Sequence, residues 1–123
     1  MMIHPQYILA LADTFILQFK IIKKYNKYNF EMNIYLNDIQ ILYKIKERFK
    51  SGKILNINNQ YLLTIRNNFQ KIIKFFEKNK IMNKKQHLTF KRWCYLYNKL
   101  QQDKFSEKEN KKIIRRLTYF GVI

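Results

Sequence analysis

The stretch Tyr7 to Ile22, YILALADTFILQFKII, changes its hydrophobic period midway and so commits the chain to a helix that runs directly into a strand. Its first half is short and apolar, with small residues at Ala10 and Ala12 that let a second helix approach closely. Pro5 is placed to open this helix, which ends near Asp13. From Phe15 the pattern alternates. Phe15, Leu17, Phe19 and Ile21 fall on one face of a strand predicted to run to Tyr25, and Ile16, Gln18, Lys20 and Ile22 fall on the other.

The following segments extend that start into a layered domain. Lys23 to Lys27 makes a basic turn into a second strand, Tyr28 to Leu36. There Tyr28, Phe30, Met32, Ile34 and Leu36 alternate with Asn29, Glu31, Asn33 and Tyr35. Asn37 is a cap for a helix over Asp38 to Lys50, which Gly52 ends. Strands Lys53 to Ile57 and Gln60 to Arg66 flank the turn-forming pair Asn58-Asn59. Helices follow near Asn68 to Asn79, Gln86 to Gln102 and Ser106 to Tyr119, the last opened by the capping box Ser106/Glu109. The pattern predicts an α/β (α+β) sandwich of order αββαββα with C-terminal helices, and residues 1–123 as one domain. Helices cover one face of its four-stranded antiparallel sheet. Gln18, Lys20, Asn29, Glu31, Asn33, Tyr35, Gln60, Thr64 and Arg66 mark the other.

Charge narrows the partner. Twenty-five Lys and Arg face eight Asp and Glu, a net +17 that repels itself unless a polyanion neutralises it. Nucleic acid is the expected partner and a membrane is not, because the basic residues are spread over every element rather than along one amphipathic helix. No run approaches the roughly 18 apolar residues of a membrane span, and Met1 to Ile22 lacks the marks of a secretory or transit segment. The single cysteine, Cys94, precludes an internal disulfide and reads as a small hydrophobe. No Cys/His cluster has zinc spacing, and His4 and His87 have no acid or nucleophile at motif spacing. Ile, Asn and Lys supply 18, 13 and 20 residues, a bias toward A/T-rich codons that suggests an organellar gene and a mitochondrial matrix location.

Leu11-Ala12-Asp13-Thr14 followed by Phe15 to Ile21 resembles the signature of the LAGLIDADG homing endonucleases, in which a helix of the form G-L-A-D-x-D-G-S-F enters a sheet. Ala10 stands at the first glycine, Asp13 aligns with the first aspartate, and the D-G-S between Thr14 and Phe15 is absent. Asn37 to Phe49 with Ser51 to Ile54, Asn68 to Asn79 with Ile81 to Lys85, Phe90 to Leu100 and Glu107 to Leu117 resemble later parts of the family, so the similarity spans nearly the whole chain. The resemblance implies a sheet that lies on DNA as a saddle, and a divalent metal held by the second aspartate of the motif.

With that aspartate missing, the expectation is a protein that is not an enzyme and holds no metal or cofactor. It would be a catalytically inactive domain acting as a structural RNA-binding protein, contacting rRNA in a mitochondrial ribosome beside other ribosomal proteins. An intron-encoded maturase or a DNA-cleaving homing endonuclease is the alternative. The residues expected to contact phosphate are Lys20, Lys23, Lys24, Lys27, Lys53, Arg66, Lys84, Lys85, Arg92, Arg115 and Arg116. Tyr25, Tyr28, Tyr35 and Tyr61 either stack on unpaired bases or pack within the sheet. A homodimer through the Ala10/Ala12 helix is a further expectation.

Overall fold

Two alternating hairpins and five amphipathic helices build the molecule, and the computed structural model describes residues 3–102 and 104–123; Asp103, one of the eight acids, lies outside them. The order is α1 (Pro5–Asp13), β1 (Leu17–Lys24), β2 (Lys27–Leu36), α2 (Ile39–Phe49), β3 (Lys53–Ile57), β4 (Gln60–Ile65), α3 (Gln70–Lys78), α4 (Lys84–Lys99) and α5 (Glu107–Tyr119). The strands form one antiparallel sheet in the order β1-β2-β4-β3. This is the predicted αββαββα arrangement with C-terminal helices. No helix among the described residues is long and apolar enough to cross a membrane.

Both hairpins turn on two residues with positive φ, Tyr25-Asn26 (52° and 62°) and Asn58-Asn59 (48° and 66°). Two consecutive left-handed residues match the right-handed twist of the flanking strands, and Asn tolerates that conformation better than most residues. The registers pair Gln18 with Asn33 and Asn33 with Thr64, so one row crosses three strands and continues to Lys53. Leu17, Phe19, Ile21, Phe30, Met32, Ile34, Leu63 and Ile65 point to the other face and are buried under the helices. Trp93 of α4 is at the centre of that layer, with Phe19, Phe30 and Phe69 at ring-centroid distances of 5.3, 5.8 and 4.9 Å. Removing such a buried ring costs about 3 to 5 kcal/mol.

α4 also covers the outer edge of the sheet. Gln86 and Trp93, two turns apart, donate side-chain hydrogen bonds to the carbonyl oxygens of Leu17 (2.6 Å) and Lys20 (3.1 Å) on β1. The Leu17 oxygen lies on the unpaired edge of β1, so Gln86 satisfies a carbonyl that would otherwise template another strand, whereas the Lys20 oxygen is on the β2 side.

Several boundaries differ from the sequence reading. Phe15 is not a strand residue: it sits at φ 62° in the junction, half exposed, and β1 begins at Leu17. The Thr14 hydroxyl donates to Ala10 O (2.7 Å) and the Gln18 amide to Phe15 O (3.1 Å), tying helix, turn and strand together. The cap of α2 is Asp38, whose carboxylate accepts from the N–H groups of Gln40 and Ile41, and not Asn37. Gly52 does not end α2. Lys50 takes the left-handed position there (φ 54°), whereas Gly52 (φ 114°) lies against β4, where a Cβ would come within 2.8 Å of Ile65 and Leu63 side-chain atoms. α3 is shorter than predicted and starts at Gln70, after Asn68 turns at φ 56°. α4 starts two residues earlier, capped by the Asn83 side chain on Gln86 N–H. Pro5 opens α1 and the Ser106/Glu109 capping box opens α5, as predicted.

Candidate nucleic-acid interface

The helices leave the second face of the sheet open. Strand alternation and register place Gln18, Lys20, Ile22 and Lys24 on it from β1, and Lys27, Asn29, Glu31, Asn33 and Tyr35 from β2. β3 contributes Lys53, Leu55 and Ile57; β4 contributes Gln60, Leu62 and Thr64, with Arg66 just beyond its end. All nine residues expected on this face from the sequence lie there. Their accessibility is the surprise. Glu31, Asn33 and Thr64 are only 5, 4 and 4% exposed, covered by the longer side chains around them.

Electrostatics divides the surface into a ring and a centre. Glu31 is the only carboxylate in the four strands. Its Oε2 receives the Arg66 Nε at 2.9 Å, and its Oε1 receives the Asn33 amide at 3.1 Å. Buried charge needs such partners to be tolerable, and Arg66 is held in a fixed orientation by supplying one. Asn33 Oδ1 and Thr64 Oγ1 lie beside this pair with no hydrogen-bond partner among the described residues. Lys20, paired across the strands with Glu31, and Lys53, paired with Thr64, complete the central cations. Lys24 and Lys27 extend them to the hairpin tip, where Tyr25 is 88% exposed. Cations in such an array suit phosphate oxygens, and amides and aromatic rings beside them suit base edges and faces. Tyr28 and Tyr61, in contrast, are half-buried against the core on the opposite face, and Lys23 lies over the Tyr28 ring at 5.8 Å.

The remaining predicted contacts are dispersed. Lys84 and Lys85 are exposed at the start of α4, close to the end of α1. Arg92 stacks on Tyr119 (4.3 Å) and Arg116 on Tyr95 (4.7 Å), so both are spent on the α4/α5 contact in the helical layer. Arg115 is exposed on α5. The structure therefore brings together Lys20, Lys24, Lys27, Lys53 and Arg66, and not Lys23, Lys84, Lys85, Arg92, Arg115 and Arg116. Cys94 is half-buried against the core, and burial, with Glu77 nearby, pushes its thiol up to about 12, which disfavours the thiolate.

Asp13 has a structural task. Its Oδ1 accepts the N–H groups of Met82 (2.9 Å) and Asn83 (3.0 Å), and its carbonyl accepts the Asn83 amide (3.3 Å). It thereby pins the end of α1 to the start of α4. The three residues that follow, before β1, are Thr14, Phe15 and Ile16, so the junction has a turn where the resemblance left a gap, but no carboxylate in it. Among the described residues no three His, Cys, Asp or Glu side chains converge. The donor set at this junction does not fit a divalent ion. Of the two small residues on α1, Ala12 is fully buried in its own chain and only Ala10 faces outward, with Gln6, Tyr7 and Thr14. The pair therefore does not form one docking face, because residues two apart on a helix point in nearly opposite directions.

No family model and no curated protein match the chain. Solved structures do. The homing endonuclease I-TnaI superposes with a TM-score of 0.78 at 22% identity, over 94% of this chain and 86% of its own. The archaeal intron-encoded homing endonuclease I-Vdi141I, complexed with DNA, gives 0.76 at 18% identity, over 95% and 81%. The LAGLIDADG meganuclease I-AabMI, bound to uncleaved DNA, gives 0.77 at 19%, over 93% of this chain but only 43% of its own. These neighbours overturn one expectation. The altered signature led to the expectation that the chain is not an enzyme, but these three structures that share its architecture are homing endonucleases or a meganuclease, so that signature is no ground for placing the chain outside the nuclease class. The fold of this chain is that of the LAGLIDADG homing endonucleases.

Proposed function

We propose that the chain is a nucleic-acid-binding protein that lays the open face of its sheet on the phosphate backbone. The observation that carries this is the cluster Lys20, Lys24, Lys27, Lys53 and Arg66 around one neutralised carboxylate, on a sheet face that no helix covers. Neighbours of the same fold that are complexed with DNA support it.

The finer reading is a structural component of a mitochondrial ribosome, bound to rRNA and to neighbouring ribosomal proteins. Its support is the net charge of +17 on 123 residues and the Ile/Asn/Lys bias. A permanent polyanionic partner offsets the self-repulsion of such a chain. A second reading, an intron-encoded maturase or DNA-cleaving endonuclease, is favoured by the names of the fold neighbours. In either case a second copy has an exposed strip of α1, with Ala10 at its centre, available for pairing.

Sedimentation of the native protein from lysed organelles, with and without RNase, separates these readings. Migration with a ribosomal subunit through moderate salt, abolished by RNase, supports the rRNA reading. A light fraction that cleaves DNA in magnesium supports the endonuclease.

A further inference from the structure

A second basic surface lies on the helical side of the molecule, away from the sheet face. A groove of about 880 Å³ runs between α2 and α3. Its floor is closed by Phe49 and Phe75, packed edge to face at 5.6 Å and almost fully buried. Its walls are cationic. Lys71, Lys74 and Lys78 line it from α3 and Lys44 and Arg48 from α2. The spacing of the three α3 lysines, three and then four residues, puts them on one helix edge.

Three features mark this as a built site and not a solvated helix surface. Arg48 is held in place, its Nη1 donating to Ile3 O (3.4 Å) and its guanidinium lying 5.0 Å over the Phe75 ring. The one carboxylate lining the groove, Glu47, is bound to Lys50, whose hydrogen bond and charge lower its pKa. Lys44, Lys71, Lys74 and Lys78 form no salt bridge among the described residues. Like charges facing one another across a groove repel, and an external anion relieves that repulsion.

We propose that this groove holds the phosphodiester backbone of a second nucleic-acid segment, so that one chain bridges two segments on opposite sides of its sheet. Lys71 to Lys78 spans about 10 Å of helix axis, which matches about three phosphates of one strand. Tyr43, 51% exposed at the rim, is the one large aromatic in the groove positioned to meet a sugar or base. A protein helix would need apolar anchors, and the apolar floor here is already filled from within. The groove residues are separate from those of the sheet face, but bridging rests on the sheet-face reading proposed above, and the sheet-face variant tests the groove alone.

The test uses the full chain and short RNA duplexes carrying donor or acceptor dyes. Wild type should bring the two together and raise energy transfer; K71E/K74E/K78E should abolish that signal while still binding one duplex. A K20E/K53E/R66E chain should retain salt-sensitive binding, and adding the three groove changes should reduce it at least 100-fold. The salt slope of the groove contribution should be about 2 to 3 units, at just under one unit per phosphate neutralised. Lysine-to-glutamine changes at the same three positions give the same order of effects if the glutamates disturb folding, which circular dichroism monitors. Energy transfer that persists in the groove variants overturns the proposal. So does poly-glutamate occupying the groove of a wild type that never joins two duplexes, which would assign the site to an acidic protein.

Discussion

Replacing Asp13 tests whether the signature's first aspartate is a structural joint. Its carboxylate oxygen accepts the Met82 N–H, which has no other acceptor among the described residues, and also the Asn83 N–H, at 2.9 and 3.0 Å. Charge-assisted bonds of this kind are worth about 1.5 kcal/mol each, so Asp13→Ala should cost about 3 kcal/mol. Asp13→Asn keeps a carbonyl oxygen that can accept both N–H groups and loses only the charge, costing about 1 kcal/mol. For a chain of this size those losses lower Tm by about 12 °C and about 4 °C. Urea denaturation with and without magnesium is the assay. The losses should be the same in both, because the bonds run between backbone and side chain of one molecule. An Asp13→Ala protein within about 0.5 kcal/mol of wild type would refute the joint. A loss confined to magnesium-containing buffer would instead make Asp13 a metal ligand.

The remaining predictions concern the cap, the helix-strand crossing, the sheet centre and pH. Ser106→Ala removes the acceptor for Glu109 N–H and should cost about 1 kcal/mol in urea denaturation. Gly52→Ala should cost about 2 to 4 kcal/mol, because its Cβ enters the space of Leu63 and Ile65 and its φ of 114° strains any side chain. Glu31→Gln removes the only carboxylate of the sheet face and should tighten binding to RNA several-fold at low salt, an effect that salt should erase. The half-buried His87 imidazole is held below its usual range by burial and then by Lys80 and Lys91, and its Nδ1 has no partner among the described residues. The unfolded chain therefore takes up this proton first as pH falls. Stability from this group is full above about pH 6.5 and declines below it, and the decline should be smaller in His87→Gln.

Much of the fold was legible because its signals are local. The period-two runs Leu17 to Ile22 and Tyr28 to Leu36 each place their apolar set against the helices, and a shift of one residue would turn that set to the open face. Pro5, Asn58-Asn59 and Ser106 with Glu109 act within a few residues, and all did what their local chemistry dictates. The misplacements at Phe15 and Gly52 depend on distant partners. Phe15 is drawn from the strand because Asp13 must reach Met82 and Asn83, and Gly52 is required by β4 and not by the helix before it. The sheet-face residues were readable from alternation alone, but the burial of Glu31 beneath Arg66 depends on strands 35 positions apart being neighbours. Arg92 and Arg116 read as free cations because nothing in a sequence shows that Tyr119 and Tyr95 stack beneath them. The groove lysines were missed for a different reason. Lys71, Lys74 and Lys78 look like the solvated edge of an amphipathic helix until α2 is seen to bring Lys44 and Arg48 opposite them.

Binding of wild type and K20E/K53E/R66E to one short RNA duplex across a range of salt concentrations tests the sheet-face reading most directly. The account predicts that the variant binds at least tenfold more weakly at low salt and that its salt slope is shallower by about 2 to 3 units, as three lost phosphate contacts require. Superimposable curves for the two proteins would contradict it and remove the sheet face as the nucleic-acid interface.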